Sequence, residues 1–540
     1  MKKLFAASLL ALILFILLLA GPAKADGQCS KPVSTEQGQV RGKPAKGEDV
    51  CAWKGIPYAA PPIGDLRFRA TQPAKAHQGV LDAFEFGSAC PQKLSSFSGG
   101  DVSALSEDCL TLNIWAPQKP GKYPVMFWIH GGAFTMGASS FGLYDGARLS
   151  GLKDVVVVSI NYRLGALGFL SLPELAAEDP HGSTGNYGIL DQVQALKWVQ
   201  QNISQFGGDP GNVTIFGQSA GGMSVCSLIV SPLAKGLFQK AIPMSGACDY
   251  IAEKEKGYDY GKKTAGKAGC KDKDILACLR KKPADAFLPK NVATDFLSGF
   301  MSGAGFMPKL DGYVFTCQPI ECIEQGKYNQ VPVMMGFTRD EIKFFTSAIP
   351  VMNLLSRSVV KKVLRMMTGD PSDEILKLYS FADYKHPADL LVAAGTGFFG
   401  APGFADAEAL SKRTPVYYYR FDWDETSNPE KYGAFHGLDI PFVFANDNPD
   451  SKLVKKVRAK DTNPDNIPLY KQIMSYYADF AKTGDPNGQG LPVWPKYSVE
   501  KKELIYLDNQ VTVAPLSQKD IDRYRYFNKQ NRDKYISGKK

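Results

Sequence analysis

Short runs of apolar residues alternate along the chain with longer segments whose apolar positions recur at helical spacing. The runs lie at 124–129, 155–160, 213–216, 241–244, 331–335 and 416–419. The first two, PVMFWI and VVVVSI, are almost continuously apolar, which is typical of strands in a sheet covered on both faces. Between 190 and 206, apolar residues recur with the period of a helix. This alternation predicts an α/β fold with a mostly parallel central sheet and helices on both faces.

Other parts of the chain depart from this rhythm. The N-terminal part is rich in turns, such as GQVRGK and PPIGD, and indicates a small antiparallel start. Residues about 250–330 and about 345–410 are expected to be insertions above the sheet. Apolar residues of the second insertion either line a substrate gorge or form the core of a cap; they are Met352, Leu354, Leu355, Met366, Met367, Phe398 and Phe399.

The first 25 residues have the organisation of an export signal. Lys2 and Lys3 precede an apolar stretch, Leu4 to Ala20, and Ala23-Lys24-Ala25 offers an A-x-A cleavage site. We predict a signal peptide over 1–25 and one large domain over 26–540. The short basic start is typical of bacteria, so we expect export to the periplasm or beyond. Because the apolar stretch is long for a signal, an uncleaved anchor is the alternative.

Charge and hydropathy limit the partners of the mature chain. The 540 residues have a formal net charge of +9, and cleavage after Ala25 would remove three lysines. The remaining lysines are scattered, which indicates a soluble surface rather than nucleic-acid binding. No later stretch is long and apolar enough to span a bilayer, so no stable membrane insertion is expected after cleavage.

The chain has ten cysteines, for which disulfides are the default interpretation in an exported protein. The close positions of Cys90 with Cys109, Cys270 with Cys278, Cys317 with Cys322 and Cys29 with Cys51 favour local loops, although sequence does not fix the pairing. Cys226 and Cys248 are expected to be buried free thiols. A metal site is the rival interpretation, but the sequence has no C-x-x-C pair and no cluster of histidines beside a cysteine to support it.

One serine stands between glycines at the end of an apolar run, in the sequence IFGQSAGG. β-forming residues precede Ser219 and a helical pattern follows it, so Ser219 is expected on a sharp strand-to-helix turn. Glycines on either side lack the Cβ atoms that would clash in such a turn. This pattern is typical of a nucleophile elbow, although small residues also mark ordinary turns.

A serine nucleophile needs a base, an acid and oxyanion donors. Of the five histidines, His436 in GAFHGLDIPFVF lies on a glycine-bounded loop late in the chain, where the base of such enzymes is found. Either Asp340 or Glu341, after the strand at 331–335, could be the acid. The small residues of WIHGGAF follow a strand and could offer backbone N–H groups, and Ala220 offers another.

Longer segments resemble one family. FGGDPGNVTIFGQSAG (206–221) and EDCLTLNIWAP (107–117) resemble the two signature patterns of the type-B carboxylesterases, which include cholinesterases and bacterial p-nitrobenzyl esterases. GIPYAAPP, NYRLGALGFL, GNYGILDQ, FAKTGDPN and VWPKY follow in the family's order, so the resemblance covers nearly all of 26–540. It implies the α/β-hydrolase fold and hydrolysis of small carboxylic esters, with no metal or organic cofactor.

The resemblance also implies roles for individual residues. It makes Ser219 the nucleophile, His436 the base and Glu341, rather than Asp340, the acid. Further residues implied are the oxyanion donors Gly132, Ala133 and Ala220, the disulfides Cys90–Cys109 and Cys270–Cys278, and the ion pair Arg163–Asp191.

Two positions depart from the family's pattern. Relatives usually have glycine after the acid, where this chain has Ile342. Cholinesterases carry a tryptophan in the first disulfide loop, where this chain has only Phe97 as an aromatic residue, so a choline specialist is not expected. The prediction is an exported serine carboxylesterase. The alternatives are a lipase with the second insertion as its lid, and a non-catalytic binding module of the same fold.

Overall fold

The structure is a computed structural model that describes residues 29–93, 102, 104–248, 251–271, 274–288, 305–347, 349, 352–446 and 466–535. The predicted signal peptide and Phe97 lie outside the described residues.

Eleven of the described strands form one sheet, in the order β16-β15-β14-β13-β10-β9-β7-β8-β6-β4-β3. Neighbours from β15 to β8 are parallel, and the pairs at both ends of the sheet are antiparallel. The strands are β1 Val33–Thr35, β2 Gly38–Arg41, β3 Lys43–Pro44, β4 Val50–Pro57, β5 Val80–Asp82, β6 Thr111–Pro117, β7 Tyr123–Ile129, β8 Val156–Ile160, β9 Gly208–Gln218, β10 Lys240–Met244, β11 Ala252–Glu253, β12 Lys309–Leu310, β13 Val333–Thr338, β14 Val416–Phe421, β15 Glu503–Leu507 and β16 Thr512–Pro515.

Helices connect the parallel strands and build the insertions. They are α1 Ala147–Lys153, α2 Gly165–Phe169, α3 Pro173–Glu178, α4 Tyr187–Asn202, α5 Ala220–Val230, α6 Lys254–Lys267, α7 Ile275–Lys281, α8 Pro319–Glu324, α9 Lys343–Ser347, α10 Arg357–Thr368, α11 Ile375–Leu378, α12 Pro387–Leu410, α13 Pro429–Tyr432, α14 Ile440–Phe444, α15 Pro468–Thr483 and α16 Gln518–Tyr535.

The core confirms the predicted parallel sheet. Every residue of β8 and all of β7 from Val125 onward are buried, because helices cover both faces of the central strands. Residues of β7, β8 and β9 alternate between two large apolar clusters, so each face of the sheet has its own core. The strand predicted at 213–216 is longer than expected and begins at Gly208, because its polar start still pairs with Tyr123 of β7.

The second insertion has a small core of its own. Val360 and Leu364 of α10 pack with Leu390 of α12 and Phe527 of α16, and Leu355, Met367 and Phe398 adjoin this cluster. These three residues therefore belong to the core of a cap, which is one of the two predicted outcomes.

Within the described residues, α12 is the one helix long and apolar enough to cross a membrane. Half of its most apolar window is buried inside the protein, as in the core helix of a folded domain. It packs against α10 and α16 within the cap.

All ten cysteines lie in the described residues and are paired. The expected pairs Cys29–Cys51, Cys90–Cys109, Cys270–Cys278 and Cys317–Cys322 are present. The expectation that Cys226 and Cys248 are free was wrong, because they form a fifth disulfide with a Cα–Cα distance of 4.7 Å. β9 and β10 are neighbours in the sheet, which brings α5 after β9 against the loop after β10.

The predicted ion pair is also present: the Arg163 guanidinium contacts the buried Asp191 carboxylate at 2.8 Å. Among the described residues, the acidic and sulfur-bearing group close enough to hold a metal is Cys226, Cys248 and Asp406. Its two sulfur atoms are already joined in the disulfide, and Asp406 instead accepts a hydrogen bond from the Cys248 N–H at 2.8 Å.

Candidate active site

Ser219 lies on the sharp turn between β9 and α5 that the sequence predicted. Its backbone has φ 60° and ψ −124°, a conformation that costs energy for a residue with a side chain. The turn is held by its own hydrogen bonds, since the Ser219 N–H donates to the Met244 carbonyl at 2.9 Å and the Ser219 carbonyl accepts from Met223 at 2.8 Å. The half-buried Ser219 therefore projects from a rigid corner.

The flanking glycines are there for the predicted steric reason. A Cβ on Gly221 would lie 2.0 Å from the Ile129 carbonyl oxygen, and one on Gly217 would lie 2.6 Å from the same atom. Both contacts are shorter than any real Cβ tolerates, so the elbow can approach β7 only with glycine on each side of Ser219.

Glu341 is the carboxylate behind His436. It is fully buried and its Oε2 accepts a hydrogen bond from His436 Nδ1. Its Oε1 accepts from the Ser245 hydroxyl and from the Thr338 N–H, both at 2.7 Å. Three donors thus fix this carboxylate between the loop after β13 and the histidine.

Asp340 points elsewhere, although sequence reasoning alone left it open as the acid. Its Oδ2 lies 3.0 Å from the Arg339 guanidinium and accepts from the Ala434 N–H at 3.0 Å. It therefore holds the loop that carries the histidine and does not contact the imidazole. Ile342, the departure from the family's pattern, adjoins Gly395 of α12 and leaves the contact between Glu341 and His436 intact.

The other ring nitrogen of His436 faces the elbow. Its Nε2 lies 3.1 Å from the side-chain nitrogen of Gln218, the residue immediately before Ser219. The ring belongs to a loop after β14 that pairs with the loop after β13 through a bridge between Asp340 and Phe435. Ser219, Glu341 and His436 are far apart in sequence, and the carboxyl ends of neighbouring parallel strands bring them to one edge of the sheet.

The Gly131–Phe134 segment forms a tight loop beside Ser219. Gly132, Ala133 and Phe134 all have positive φ, of 114°, 56° and 58°. A Cβ on Gly131 would lie 3.1 Å from the Ser219 Cβ, so the loop after β7 adjoins the elbow. Backbone N–H groups in such a turn can face one point in front of the serine, which is the role that the family resemblance implies for Gly132 and Ala133.

Aromatic rings border the imidazole. The ring of Phe399, on α12, meets His436 edge to face with centroids 5.2 Å apart, and Phe345 on α9 lies 5.6 Å away. Of the apolar residues proposed for a gorge, Phe399 thus reaches the site. In contrast, Leu354 is 81% exposed and Met366 is 66% exposed on the outside of the cap.

Burial shifts the pKa of two further titratable groups near the loops toward their neutral forms. Burial raises the pKa of Asp439 to about 7, and the charge of Glu341 adds to this rise. The hydrogen bond that the Tyr419 hydroxyl donates to the carboxyl at 3.0 Å acts in the opposite direction. Burial lowers the pKa of His130 to about 4. His130 stacks on Tyr162 with centroids 4.6 Å apart and is a structural support of the glycine loop.

Sequence reasoning missed three residues of the site: Gln218, Ser245 and Phe345. Gln218 adjoins the elbow in sequence, but nothing in the pattern indicates that its side chain turns toward His436. Ser245 follows β10 directly, so its place at the carboxyl edge of the sheet was a signal that could have been used.

Comparison with known proteins agrees with this geometry. The model of the carboxylesterase family matches residues 30–526. The chain belongs to the carboxylesterase family. This carboxylesterase is 39% identical over 497 residues to para-nitrobenzyl esterase of Bacillus subtilis, covering 90% of this chain and 97% of the relative. It is 34% identical to fumonisin B1 esterase of Sphingopyxis macrogoltabida, covering 88% and 86%.

A solved structure of a carboxylesterase from Geobacillus stearothermophilus superimposes with a TM-score of 0.79 at 34% identity, covering 92% of this chain and 99% of that one. The carboxylesterase described here thus has the α/β-hydrolase fold and is an enzyme that hydrolyses carboxylic esters. The alternative of a non-catalytic binding module is not supported.

Proposed function

We propose that this carboxylesterase is exported and cleaves small carboxylic esters through an acyl-enzyme on Ser219. The observation that carries the mechanism is the buried Glu341 carboxylate bound to Nδ1 of an imidazole whose Nε2 faces the elbow. A neutral imidazole with its proton on Nδ1 presents a lone pair at Nε2, which is the form that can remove a proton from a serine hydroxyl.

The acylation step follows from these positions. The Ser219 Oγ attacks the acyl carbon while His436 Nε2 takes the hydroxyl proton, and the carbonyl π electrons move to oxygen. The N–H groups of Gly132, Ala133 and Ala220 would stabilise this oxyanion by hydrogen bonds. When the oxyanion collapses, the bond to the alcohol oxygen breaks and His436 donates its proton to that oxygen.

Deacylation repeats the sequence with water. His436 removes a proton from a water molecule as the water oxygen bonds to the acyl carbon. When this second tetrahedral intermediate collapses, the bond between the acyl carbon and the Ser219 oxygen breaks, His436 donates its proton to that oxygen, and the acid leaves. Glu341 remains ionised throughout and stabilises the transient imidazolium.

The serine is tested by replacement. Ser219→Ala should lower kcat for p-nitrophenyl acetate by about a millionfold, because no other group in the elbow can form the acyl-enzyme. Intact-mass measurement after treatment with an organophosphonate should show one adduct on the wild type and none on this variant. Normal hydrolysis by Ser219→Ala, or an adduct on it, would contradict the proposal.

Export is proposed from the sequence at 1–25 and the five disulfides, which persist in oxidising compartments. We propose that residues 26–540 form the catalytic domain, with no nucleic-acid partner and no membrane insertion. N-terminal sequencing of protein recovered from a bacterial periplasm or medium should begin at Asp26. A product that begins at Met1 and remains with the membrane would instead support the uncleaved anchor.

Action on lipid esters at an interface is the second candidate. It is favoured by the exposed apolar residues Leu354 and Met366 on the cap. A lipase should show a rise in rate when a triglyceride passes its solubility limit, whereas an esterase on soluble substrates saturates below that limit.

A further inference from the structure

The side chain of Gln218 is buried between the two loops that serve the predicted chemistry. Gln218 is a polar residue next to the half-buried Ser219, yet it is only 5% exposed. A Cβ on Gly131 of the oxyanion loop would lie 3.2 Å from its Oε1, and a Cβ on Gly437 of the histidine loop would lie 3.5 Å from its Nε2. The oxygen of the carboxamide thus faces the oxyanion loop and the nitrogen faces the histidine.

The proton positions around His436 follow from donor and acceptor chemistry. Glu341 receives hydrogen bonds from Ser245 and Thr338 in addition to the imidazole, so the carboxylate acts as an acceptor and Nδ1 carries the proton. A neutral imidazole has one N–H, which leaves Nε2 as an acceptor. The carboxamide nitrogen of Gln218, 3.1 Å away, is a donor without a lone pair to offer.

We infer that Gln218 is a positioning residue that holds His436 in its base-competent tautomer in the free enzyme, by donating a hydrogen bond to Nε2. The Gln218 N–H is compatible with the neutral ring and opposes the protonated ring, since Nε2–H would then face another donor. The Ser219 hydroxyl replaces this bond when substrate arrives. The inference rests on the proposed function and adds a group that acts on the imidazole from the elbow side.

Other charges near the ring must be held constant in a test. Glu341 faces Nδ1 from the loop after β13, Asp439 lies on the histidine's own loop, and Asp340 binds the Ala434 N–H with Arg339 beside it. Phe345 and Phe399 are the uncharged neighbours. A change at position 218 leaves all of these side chains in place.

The test is the dependence of kcat/KM on pH for p-nitrophenyl acetate. In Gln218→Glu an acceptor replaces the donor at nearly the same volume and favours the protonated ring. We expect the acid limb of the profile to move up by about one pH unit, so that the loss approaches about tenfold at pH values below the wild-type limb and disappears at high pH. Gln218→Met, which keeps the volume and removes the bond, should move the limb in the same direction by less.

A matched control is Gln200→Glu. Gln200 also donates from its carboxamide, to the Pro210 and Leu237 carbonyls, but Pro210 lies at the opposite end of β9 from the elbow. The acid limb of the Gln200→Glu profile should coincide with that of the wild type. A purely structural role for Gln218 would lower the rate equally at every pH or lower the melting temperature.

Coincident acid limbs for wild type and both Gln218 variants would overturn the inference. Reaction of the wild type with the organophosphonate separates this result from failure of the proposed function. Labelling of wild-type Ser219 together with coincident limbs rejects only the role of Gln218, whereas absence of labelling rejects the serine mechanism itself.

Discussion

Glu341→Gln is the substitution that most directly tests the charge behind the imidazole. In the wild type, Oε1 accepts from Ser245 and from the Thr338 N–H, and Oε2 accepts from His436. A glutamine can satisfy the first two donors with its oxygen, and its amide nitrogen must then face Nδ1. Because two N–H donors cannot share that contact, the imidazole would move its proton to Nε2 and lose its basic lone pair.

The expected loss is large. An equivalent tautomer error in a serine triad costs about 10⁴-fold in kcat, which corresponds to about 5 kcal/mol of transition-state stabilisation. The assay is kcat for p-nitrophenyl acetate near neutral pH, with thermal unfolding to show that the variant is folded. A kcat within about tenfold of the wild type in a folded Glu341→Gln variant would refute the reasoning.

Asp340→Asn is the matched control for this experiment. Asp340 adjoins Glu341 in sequence but contacts Arg339 and the Ala434 N–H, and an asparagine oxygen can still accept from Ala434. Because a partly exposed ion pair contributes at most about 1 kcal/mol, kcat should fall by no more than about fivefold. A loss at Asp340 that equalled the loss at Glu341 would show that the two carboxylates had been assigned wrongly.

Three further predictions follow from buried groups. The pKa of Asp439 is raised from an ordinary 3.8 to about 7, so the folded state binds this proton more tightly than the unfolded state and the free energy of unfolding falls as pH rises from about 4 through 7. Asp439→Asn should remove this fall, so that in urea unfolding the variant gains about 3 kcal/mol of stability relative to the wild type between pH 5 and pH 8. Parallel curves of stability against pH for the two proteins would contradict this prediction. Replacing Cys226 and Cys248 together by alanine should lower stability by about 2–4 kcal/mol, and an unchanged urea midpoint would argue against the bond. Gly221→Ala should abolish activity and lower the melting temperature, because its Cβ would overlap the Ile129 carbonyl oxygen; a fully active variant would contradict the elbow geometry.

The elements of the fold could be predicted because their signals are local. The apolar runs that became β7 and β8 are continuous, and the helix predicted at 190–206 is found at 187–202 with a short 3-10 turn to 206. The elbow was predictable for the same reason, since one strand, one turn and one helix specify it within about fifteen residues.

Contacts between distant segments could not be read from these signals. The disulfide between Cys226 and Cys248 depends on β9 and β10 being neighbours in the sheet, which apolar runs do not reveal. The choice of Glu341 over Asp340 depends on which side chain the loop after β13 turns inward. Asp340 and Glu341 are adjacent, so their distance from the strand in sequence does not distinguish them. The family resemblance supplied the choice of Glu341, and the geometry gives its physical reason: Glu341 contacts His436, whereas Asp340 contacts Arg339.

The chain order of the site follows from the same topology. Gln218 is the last residue of β9, while Glu341 and His436 follow β13 and β14, and parallel strands place all these carboxyl ends at one edge of the sheet. At that edge the buried carboxylate of Glu341 faces a ring that becomes positive during the reaction, while the raised pKa of Asp439 limits a second negative charge below about pH 7. A neutral carboxamide at Gln218 then supplies a donor without adding charge. The geometry therefore concentrates one compensating charge on the side of the imidazole away from the serine, which is where an imidazolium is stabilised without opposing the oxyanion.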